Sequence, residues 1–595
     1  MHGLLRDRFG FEQFRPHQEE VCRTLTEGSD ILLVMPTGAG KSLCYQLPGI
    51  ARAGTTLVVS PLIALMEDQV IALKQRGFIA ERIHSGRSRE ESRQVCFDYL
   101  AGRLDFLFIA PERLSVPGFP EMLARRKPTL IAIDEAHCIS QWGHDFRPDY
   151  RMLKERLPLL RPAPIVALTA TATMRVQGDI VEQLAVPGVQ HFIHGFRRDN
   201  IAIEVVELKP SLRNDTAARL LSPSDRRPAI VYAPTRKKAE ALADELGENY
   251  PTAAYHAGMD PERRDKVHAA FLAGSLEVVV ATVAFGMGID KPDVRSVVHL
   301  ALPGSVESYY QEIGRAGRDG LPSRAFLLHG YIDRRTHEWF LNRDYPDTKV
   351  LAKIFAALGD QPIDKTRLQQ SVKLDADEFE RALEKLWIHG GALVGPGEET
   401  TRGHDRWREP YRAQLQHRRA QLDEIARFAD SRGCRMLRLV RHFGDQADSG
   451  DACGHCDICA PTATLVADYG EATPAQQSAM ERILKSLNRE SAPSSGRLFS
   501  ELFGQDYDRG LFEVLLAALH RAGYIHIEEE SFESEGRLIE FQRPVITPSG
   551  RRASSAEIAN VRIAAEGSTR KKNRRPGKSK RSKRSVGRKK SRSTR

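Results

Sequence analysis

Residues 31–42 read ILLVMPTGAGKS, an apolar run that passes directly into a turn rich in glycine. The run has the composition of a buried parallel strand, and glycines at such a point let backbone N–H groups close around phosphate oxygens. A lysine after the last glycine reaches terminal phosphates, and the hydroxyl that follows can hold Mg²⁺. The general pattern has glycine where Met35 stands. The predicted nucleotide-binding residues of this turn are Thr37, Gly38, Gly40, Lys41 and Ser42.

Apolar runs of the same kind recur between residues 28 and 330 and alternate with amphipathic stretches. This alternation is typical of parallel strands separated by helices. A chain of 595 residues also exceeds what one hydrophobic core usually serves. We therefore expect an α/β protein with two successive parallel sheets. The runs are TTLVV, DFLFIA, TLIAI and PIVALT for the first sheet, and PAIVYA, EVVVAT, VRSVVHLA and RAFLLH for the second.

Two further motifs complete the predicted hydrolytic site. Asp134 and Glu135 follow the run TLIAI, where Asp134 would hold Mg²⁺ and Glu135 would orient or deprotonate the attacking water. In SYYQEIGRAGRDG, residues 308–320, a continuous helix would place Gln311, Arg315 and Arg318 on one face. Arginines there can reach across a cleft to a γ-phosphate. The expected catalytic residues are Lys41, Asp134, Glu135, Arg315 and Arg318.

The segment SQWGHDFRPDY, residues 140–150, follows closely on the acidic pair. A flat aromatic ring stacks on any base and an arginine meets a phosphate, so such a loop can hold an unpaired strand without reading its sequence. We expect it to couple strand binding to hydrolysis, the alternative being that its rings are ordinary core. The residues predicted for this role are Trp142, His144, Phe146 and Arg147.

Four cysteines cluster in the second half of the chain. Three form the run CxxCxxC, and the fourth lies upstream of a stretch predicted to be a helix, in which Leu437, Val440 and Phe443 would form one stripe. Four thiolates suit a structural Zn²⁺, with an iron–sulfur cluster as the rival. The ferredoxin pattern would require its next cysteine where Ala463 stands. The predicted zinc ligands are Cys434, Cys453, Cys456 and Cys459, and His455 next to Cys456 has poor geometry as a substitute.

Charge is concentrated at the end of the chain. The net charge is +10, and residues 570–595 carry fifteen Lys or Arg with no acidic residue, which leaves −5 for the rest. Such a segment cannot fold alone, and it would bind phosphates in a manner that salt weakens. A solubilising or localisation tail is the alternative. No apolar run is long enough to span a membrane and the first residues lack a signal-peptide core, so we expect no membrane association.

Together these motifs resemble superfamily 2 helicases, and specifically the RecQ family of DNA helicases. The resemblance is carried by FEQFRPHQ (11–18), MPTGAGKSLCYQLP (35–48), SPLIALMEDQV (60–70), DEAHCISQWGHDFRPDY (134–150), LTATAT (168–173), VVVATVAFGMGIDKPDVR (278–295) and SYYQEIGRAGRDG (308–320). It implies two tandem RecA-like domains and cofactors ATP, Mg²⁺ and Zn²⁺. It also implies adenine recognition by Phe11, Arg15 and Gln18, and 3′ to 5′ unwinding in recombination and repair.

The resemblance also suggests partners and a domain plan. Partners would be single-stranded and forked or branched DNA, together with single-strand-binding and recombination proteins; the oligomeric state is open, and a monomer is compatible with it. The protein would be cytoplasmic and nucleoid-associated in a bacterium, or nuclear in a eukaryote. The expected domains are RecA-like units at 1–205 and 206–345, a winged-helix-like insert at 346–409, a zinc-binding helical hairpin at 410–465, a winged helix at 470–551 and a disordered basic tail at 552–595.

Two other readings of the same residues stay open. An RNA helicase or a translocase that moves without unwinding would use the same engine. A scaffold with a vestigial hydrolytic site would rely on its zinc module, winged helices and tail instead. Near the tip of a predicted hairpin, Phe532 lies among Glu528, Glu529, Glu530, Glu533 and Glu535, so this hairpin is either a strand-separating wedge or a solvated acidic turn.

Overall fold

The structure, a computed structural model, describes residues 1–143, 146–147, 150, 152–286, 291–395, 399–431, 433–466, 469–488, 493–504, 507–534 and 537–564. His144 of the aromatic loop, Glu535 of the acidic hairpin and residues 565–595 of the basic tail lie outside these ranges. Within them, no helix is long and apolar enough to cross a membrane.

The first unit is a parallel sheet of seven strands in the order β3-β4-β2-β5-β6-β1-β7, with helices between successive strands. Strands β1, β2, β4 and β5 are buried along their whole length, which is why each reads as a continuous apolar run. In chain order the elements are α1 (His2–Phe9), α2 (Gln18–Thr26), β1 (Ile31–Val34), α3 (Leu43–Ala51), β2 (Thr56–Val59), α4 (Ile63–Gln75), β3 (Ala80–Ile83), α5 (Arg89–Leu100), β4 (Phe106–Ile109), α6 (Phe119–Arg125), β5 (Leu130–Ile133), α7 (Leu153–Arg156), β6 (Ile165–Thr169), α8 (Met174–Leu184) and β7 (Gln190–Ile193).

The second unit is a parallel sheet of six strands in the order β10-β11-β9-β12-β13-β8. The boundary expected after residue 205 falls inside β8, which pairs with β13 in this second sheet. The elements are β8 (Ile201–Glu207), α9 (Pro210–Leu221), β9 (Ala229–Tyr232), α10 (Arg236–Gly247), β10 (Thr252–Tyr255), α11 (Pro261–Leu272), β11 (Val278–Ala281), β12 (Ser296–His299), α12 (Val306–Ile313), β13 (Ser323–His329) and α13 (Tyr331–Asp344).

A small helical unit with a three-stranded sheet follows, and then a helical hairpin. The small unit has the element order of a winged helix around its own apolar core. It comprises α14 (Thr348–Ala357), β14 (Ile363–Asp364), α15 (Lys365–Val372), α16 (Ala376–Ile388), β15 (Ala392–Val394) and β16 (Glu399–Arg402). The hairpin comprises α17 (Arg408–Asp430) and α18 (Arg435–Phe443). The buried stripe of α18 contains Met436 and Leu439 with Val440 and Phe443, whereas Leu437 is only half-buried.

The last unit is a second winged helix. Its elements are β17 (Tyr469–Glu471), α19 (Pro474–Leu487), α20 (Ser495–Leu502), α21 (Arg509–Arg521), β18 (Ile525–Ser534), β19 (Arg537–Ile546), α22 (Pro548–Arg552), α23 (Ser555–Ala559) and β20 (Arg562–Ala564). The expectation that a disordered tail begins at residue 552 is therefore wrong for residues 555–564. Ile558, Val561 and Ile563 are buried in the core of this unit, and β20 pairs with β17. The α/β class with two tandem RecA-like sheets, a helical hairpin and winged helices is confirmed.

Candidate functional site

The phosphate loop leaves β1 at the carboxyl edge of the first sheet. Gly38 and Gly40 have φ of 87° and 85°, a left-handed conformation that disfavours side chains. The Lys41 Nζ donates hydrogen bonds to the carbonyls of Met35 and Pro36 at 3.0 and 3.2 Å. Burial lowers the pKa of Lys41, while the charges of the nearby acidic pair oppose that shift. The loop thus curls around its own lysine, which stands where a terminal phosphate would be met.

Met35 fits its position although the common pattern has glycine there. Its side chain is 3% exposed in the core of the first unit, and its N–H donates to the carbonyl of Thr169 at 3.1 Å. At the other end of the loop, the Ser42 hydroxyl accepts a hydrogen bond from Gln69 Nε2 at 3.0 Å, and Gln69 Oε1 accepts one from Gln46 at 2.9 Å. This amide chain fixes the hydroxyl expected to hold Mg²⁺.

The acidic pair follows β5, which lies next to β6 and one strand away from β1. Glu135 takes a left-handed φ of 47°, and its N–H donates to Asp134 Oδ1 at 2.9 Å. Burial and the neighbouring Glu135 charge raise the pKa of Asp134 to about 7. His137 Nδ1 lies 3.3 Å from Glu135 Oε2 and 2.9 Å from Thr169 Oγ1. The histidine therefore links the acidic pair to the end of β6, a connection that the sequence did not reveal.

The three residues expected to read adenine lie before and at the start of α2. Gln18 is 2% exposed, and its Nε2 donates to the carbonyls of Ala39 and Gly40 at 3.0 and 3.2 Å. The Arg15 guanidinium donates to the Gly38 carbonyl, and the Arg15 N–H donates to Gln18 Oε1 at 2.9 Å. Gln18 and Arg15 thus hold the phosphate loop, and a base would have to exchange these hydrogen bonds. Phe11 is 41% exposed, with the Arg76 guanidinium 5.5 Å from its ring centroid.

The arginines of the second sheet do not continue a helix. Helix α12 ends at Ile313, and the chain turns through residues 314–318, which we call the arginine turn. The expectation that Gln311, Arg315 and Arg318 share one helix face is therefore wrong. Two features break the helix: Gly317 has a φ of 56°, and the distant Arg198 donates to the carbonyls of Gly314, Ala316 and Gly317 at 3.2, 2.8 and 3.0 Å.

The arginine turn nevertheless meets the phosphate loop. A Cβ built on Gly38 would lie 3.3 Å from Cγ of Arg318, so the Arg318 side chain passes directly over this glycine. The Arg318 charge also helps to lower the pKa of Lys41. Arg315 is 4% exposed, with a guanidinium nitrogen 3.2 Å from a Cβ built on Gly286. The two sheets therefore contribute to one cleft.

In the aromatic loop, Trp142 is partly buried and bears on two other elements. The Cζ of Arg175, near the start of α8, lies 3.6 Å from the Trp142 ring centroid. The His417 ring of α17 meets the indole edge-on with centroids 5.3 Å apart, and its Nε2 donates to the Trp142 carbonyl at 2.8 Å. Trp142 is thus enclosed by a cation and by the helical hairpin. Neither contact was expected from the sequence.

Other described residues of the loop, Gly143 and Arg147, contact the acidic segment. A Cβ built on Gly143 would lie 2.3 Å from the His137 carbonyl, so a side chain there would collide with the backbone. The Arg147 N–H donates to the Cys138 carbonyl, and its guanidinium donates to the Pro61 carbonyl, both at 2.9 Å. Phe146 is partly exposed. The loop is therefore tied to the acidic segment by backbone contacts.

The four predicted zinc ligands come together between the hairpin and the second sheet. The sulfur atoms of Cys434, Cys453, Cys456 and Cys459 all lie within 4.8 Å of one another, and the Cys453 N–H donates to Cys434 Sγ at 3.2 Å. These four thiols fit a tetrahedral Zn²⁺ site. His455 is not a ligand, because both of its ring nitrogens contact backbone carbonyls. Its Nδ1 lies 2.6 Å from the Cys453 oxygen and its Nε2 lies 3.2 Å from the Ile201 oxygen.

Comparisons with known proteins agree with this geometry. The profile of the DEAD/DEAH box helicases matches residues 15–180, that of the helicase conserved C-terminal domain matches residues 213–320, and that of RecQ zinc-binding matches residues 401–460. Paired parallel sheets that join a phosphate loop, an acidic pair and an arginine turn define the class of superfamily 2 helicase-type NTPases. Within that class, the chain belongs to the RecQ family of ATP-dependent DNA helicases.

Two relatives illustrate the membership. The chain is 35% identical to the probable ATP-dependent DNA helicase RecS of Bacillus subtilis over 458 residues, which are 75% of this chain and 90% of that protein. It is 37% identical to the ATP-dependent DNA helicase RecQ of Haemophilus influenzae over 458 residues, which are 77% of this chain and 63% of that protein. The chain thus spans less than two thirds of the Haemophilus relative. The cofactors of this chain are ATP, Mg²⁺ and Zn²⁺, with the four-cysteine cluster as the zinc site.

Proposed function

We propose that this chain is an ATP- and Mg²⁺-dependent DNA helicase that moves 3′ to 5′ along one strand and unwinds forked or branched duplexes. The observation that carries the proposal is the contact of Arg318, from the second sheet, with Gly38 of the phosphate loop. A nucleotide bound there is held by both sheets, so its hydrolysis changes what holds them together.

In the hydrolytic site, the chain's own groups divide the chemistry between them. Lys41 neutralises the terminal phosphates, and Ser42 with Asp134 holds the metal ion. Glu135 orients the attacking water, and His137 lies 3.3 Å from its carboxylate. Arg318 stabilises the charge that develops on the γ-phosphoryl group, with Arg315 beside it. Phe11, Arg15 and Gln18 hold the adenine side of the nucleotide.

The aromatic loop serves as the strand sensor. Trp142 and Phe146 offer rings to unpaired bases and Arg147 offers a guanidinium to the phosphate backbone, a combination that binds single strands of any sequence. Arg147 is tied through its N–H to Cys138, three residues after Glu135. Strand binding therefore acts on a segment that is continuous with the hydrolytic carboxylate.

Unwinding assays test the proposal directly. Forked DNA with a 3′ or a 5′ single-stranded tail is offered to the wild type and to Lys41→Ala, with ATP and Mg²⁺. We expect strand separation only by the wild type and only with the 3′ tail. ATP turnover without separation would mean a translocase, and preferential separation of RNA duplexes would mean an RNA helicase. Absence of any turnover would indicate a scaffold with a vestigial site.

A further inference from the structure

A charged histidine joins the hairpin to the helix that precedes the arginine turn. His442, near the end of α18, places Nε2 2.9 Å from Glu307 Oε1 and Nδ1 3.1 Å from Glu424 Oε1. Glu307 belongs to the first turn of α12 and Glu424 to α17. The side chains of His442 and Glu307 are 9% and 7% exposed, whereas that of Glu424 is 45% exposed. We call these three residues the Glu–His–Glu triad.

The geometry assigns the protons of the triad. Both imidazole nitrogens face carboxylate oxygens, which only accept hydrogen bonds, so both nitrogens carry hydrogen and the ring is an imidazolium. Although burial opposes it, the two carboxylates raise the pKa of His442 to about 9. A metal ion would need a ring nitrogen without hydrogen. The triad is therefore an ion cluster that fastens α12 to the hairpin.

The same end of α18 also contacts the first unit. Phe443 stacks on Phe196 with ring centroids 4.6 Å apart, and its carbonyl accepts a hydrogen bond from Gln177 of α8 at 3.3 Å. Gln177 also donates to the Ala172 carbonyl in the LTATAT segment at 2.8 Å. The carboxyl end of α18 is thus packed between α8 of the first unit and α12 of the second.

The other end of this arrangement is the strand-sensing loop. His417, which meets Trp142, and Glu424 of the triad lie on α17 seven residues apart, a spacing that places both on one face of a helix. Burial lowers the pKa of His417, and the charge of the Glu307 carboxylate opposes that shift, so the two groups are close enough to interact. Helix α17 therefore connects His417, at Trp142, with Glu424 of the triad, and the triad contacts α12, which leads into the arginine turn.

We propose that the zinc-bound hairpin transmits strand occupancy from Trp142 to the arginine turn, and that His442 is the positioning residue of this route. The inference rests on the proposed function and names how its two sites communicate. Movement of the Trp142 ring shifts α17 through His417, and the imidazolium carries that shift to Glu307 at the beginning of α12. Arg318 then approaches or leaves the phosphate loop. The alternative connection, from the Arg147 N–H to the Cys138 carbonyl beside the acidic pair, would transmit strand binding without the hairpin.

The experiment compares His442→Gln with Asp423→Asn. Asp423 is the matched control: it neighbours Glu424 on α17 and also pairs with a helix of the second unit, through Arg334 of α13, but it lies outside the triad. The readout is the ratio of ATP turnover with saturating single-stranded DNA to turnover without DNA. We expect this ratio to fall at least about fivefold in His442→Gln, the lower end of common coupling strengths, and to stay at the wild-type value in Asp423→Asn.

A double-mutant cycle separates transmission from a merely structural role. If Trp142 and His442 belong to one route, adding His442→Gln to Trp142→Ala lowers the ratio no further. Independent, multiplying effects, or an unchanged ratio in His442→Gln, would overturn the route. Glu424→Gln serves as a second variant if His442→Gln does not fold, because Glu424 is half exposed. A wild type that DNA does not stimulate would overturn the proposed function as well.

Discussion

The guanidinium carbon of Arg175 lies 3.6 Å from the centroid of the Trp142 ring. A cation at that distance interacts favourably with the face of an indole, and it covers the surface on which a base would stack. Arg175 is the second residue of α8, directly after the LTATAT segment. An incoming base must therefore displace Arg175 or stack on the opposite face of the Trp142 ring. Displacement of Arg175 would act directly on α8, to which this residue belongs.

Truncation of the indole tests this role. Trp142→Ala removes both the stacking surface and the partner of Arg175, so the affinity for single-stranded DNA should fall by about 1 to 3 kcal/mol, or roughly 5- to 150-fold. Fluorescence anisotropy with a labelled oligonucleotide at fixed salt measures it. Trp339→Ala is the control, since Trp339 lies on α13 and is 60% exposed. Equal affinities of wild type and Trp142→Ala would contradict the prediction.

Arg318 offers a second test. If it stabilises the transition state rather than the bound nucleotide, Arg318→Ala should lower kcat for ATP hydrolysis by about 10³- to 10⁵-fold, as arginine fingers do elsewhere. Binding of a fluorescent ATP analogue should change far less. Arg334→Ala, at an exposed arginine of α13, should retain turnover. A loss of nucleotide binding equal to the loss of turnover would show that Arg318 only holds the ground state.

The sequence predicted those parts of the site that lie within short stretches. The phosphate loop and the acidic pair each follow a buried strand, so their position at the sheet edge could be inferred from apolar runs and glycines. The arginine turn could not be predicted, because it depends on Arg198, which is more than a hundred residues upstream and belongs to no motif that points to this turn. The helix predicted for GRAGRDG does not form there, because the distant Arg198 guanidinium hydrogen-bonds to the carbonyls of this segment.

The contacts of the hairpin were invisible for the same reason. His417 meets Trp142 across 275 residues of sequence, and His442 meets Glu307 across 135. In the sequence both histidines are polar positions of amphipathic helices, which gives no sign of a partner. The cluster of four cysteines, by contrast, could be predicted because three of them share one short run. Spacing reveals a site only when the chain itself brings the groups together.

Loss of one thiolate should release the metal. Cys456 is 1% exposed, the most buried of the four, and Cys456→Ser should reduce zinc from one ion per chain to well below that. Because zinc binding contributes to folding, thermal unfolding should begin at a lower temperature. Cys96→Ser, at a half-buried cysteine outside the cluster, should change neither measurement. Iron in place of zinc, with absorbance near 400 nm, would favour the iron–sulfur alternative.

The basic tail makes a prediction that depends on charge alone. Residues 570–595 carry fifteen Lys or Arg, and phosphate contacts by such residues release counterions from DNA. Deletion of residues 568–595 should weaken DNA binding and flatten its dependence on salt concentration. Affinity is measured from 50 to 200 mM NaCl for both proteins. Identical affinity and slope at moderate salt would leave the tail a solubilising or localisation segment.

The triad predicts how stability depends on pH. His442 has a pKa of about 9 against an ordinary 6.5, so its contribution to the free energy of unfolding is complete below pH 6.5 and is lost as the pH rises through 9. The pKa of Glu307 is held at about 2 against an ordinary 4.5, chiefly by His442 and in spite of burial, so its contribution is complete above pH 4.5 and is lost as the pH falls toward 2. The triad therefore stabilises most between pH 4.5 and 6.5.

This window can be separated from the rest of the protein by comparison with His442→Gln. Arg175 and Arg418 lie near His417, and burial lowers the pKa of His417 below its ordinary 6.5, so that ring titrates below the range in which His442 loses its proton. The free energy of unfolding of the wild type should exceed that of the variant by about 1 to 3 kcal/mol at pH 6, and this difference should shrink steadily toward pH 9. Urea unfolding at pH 6, 7.5 and 9 measures it. A constant difference would mean that the ring is neutral in the folded protein and that packing alone joins α18 to α12.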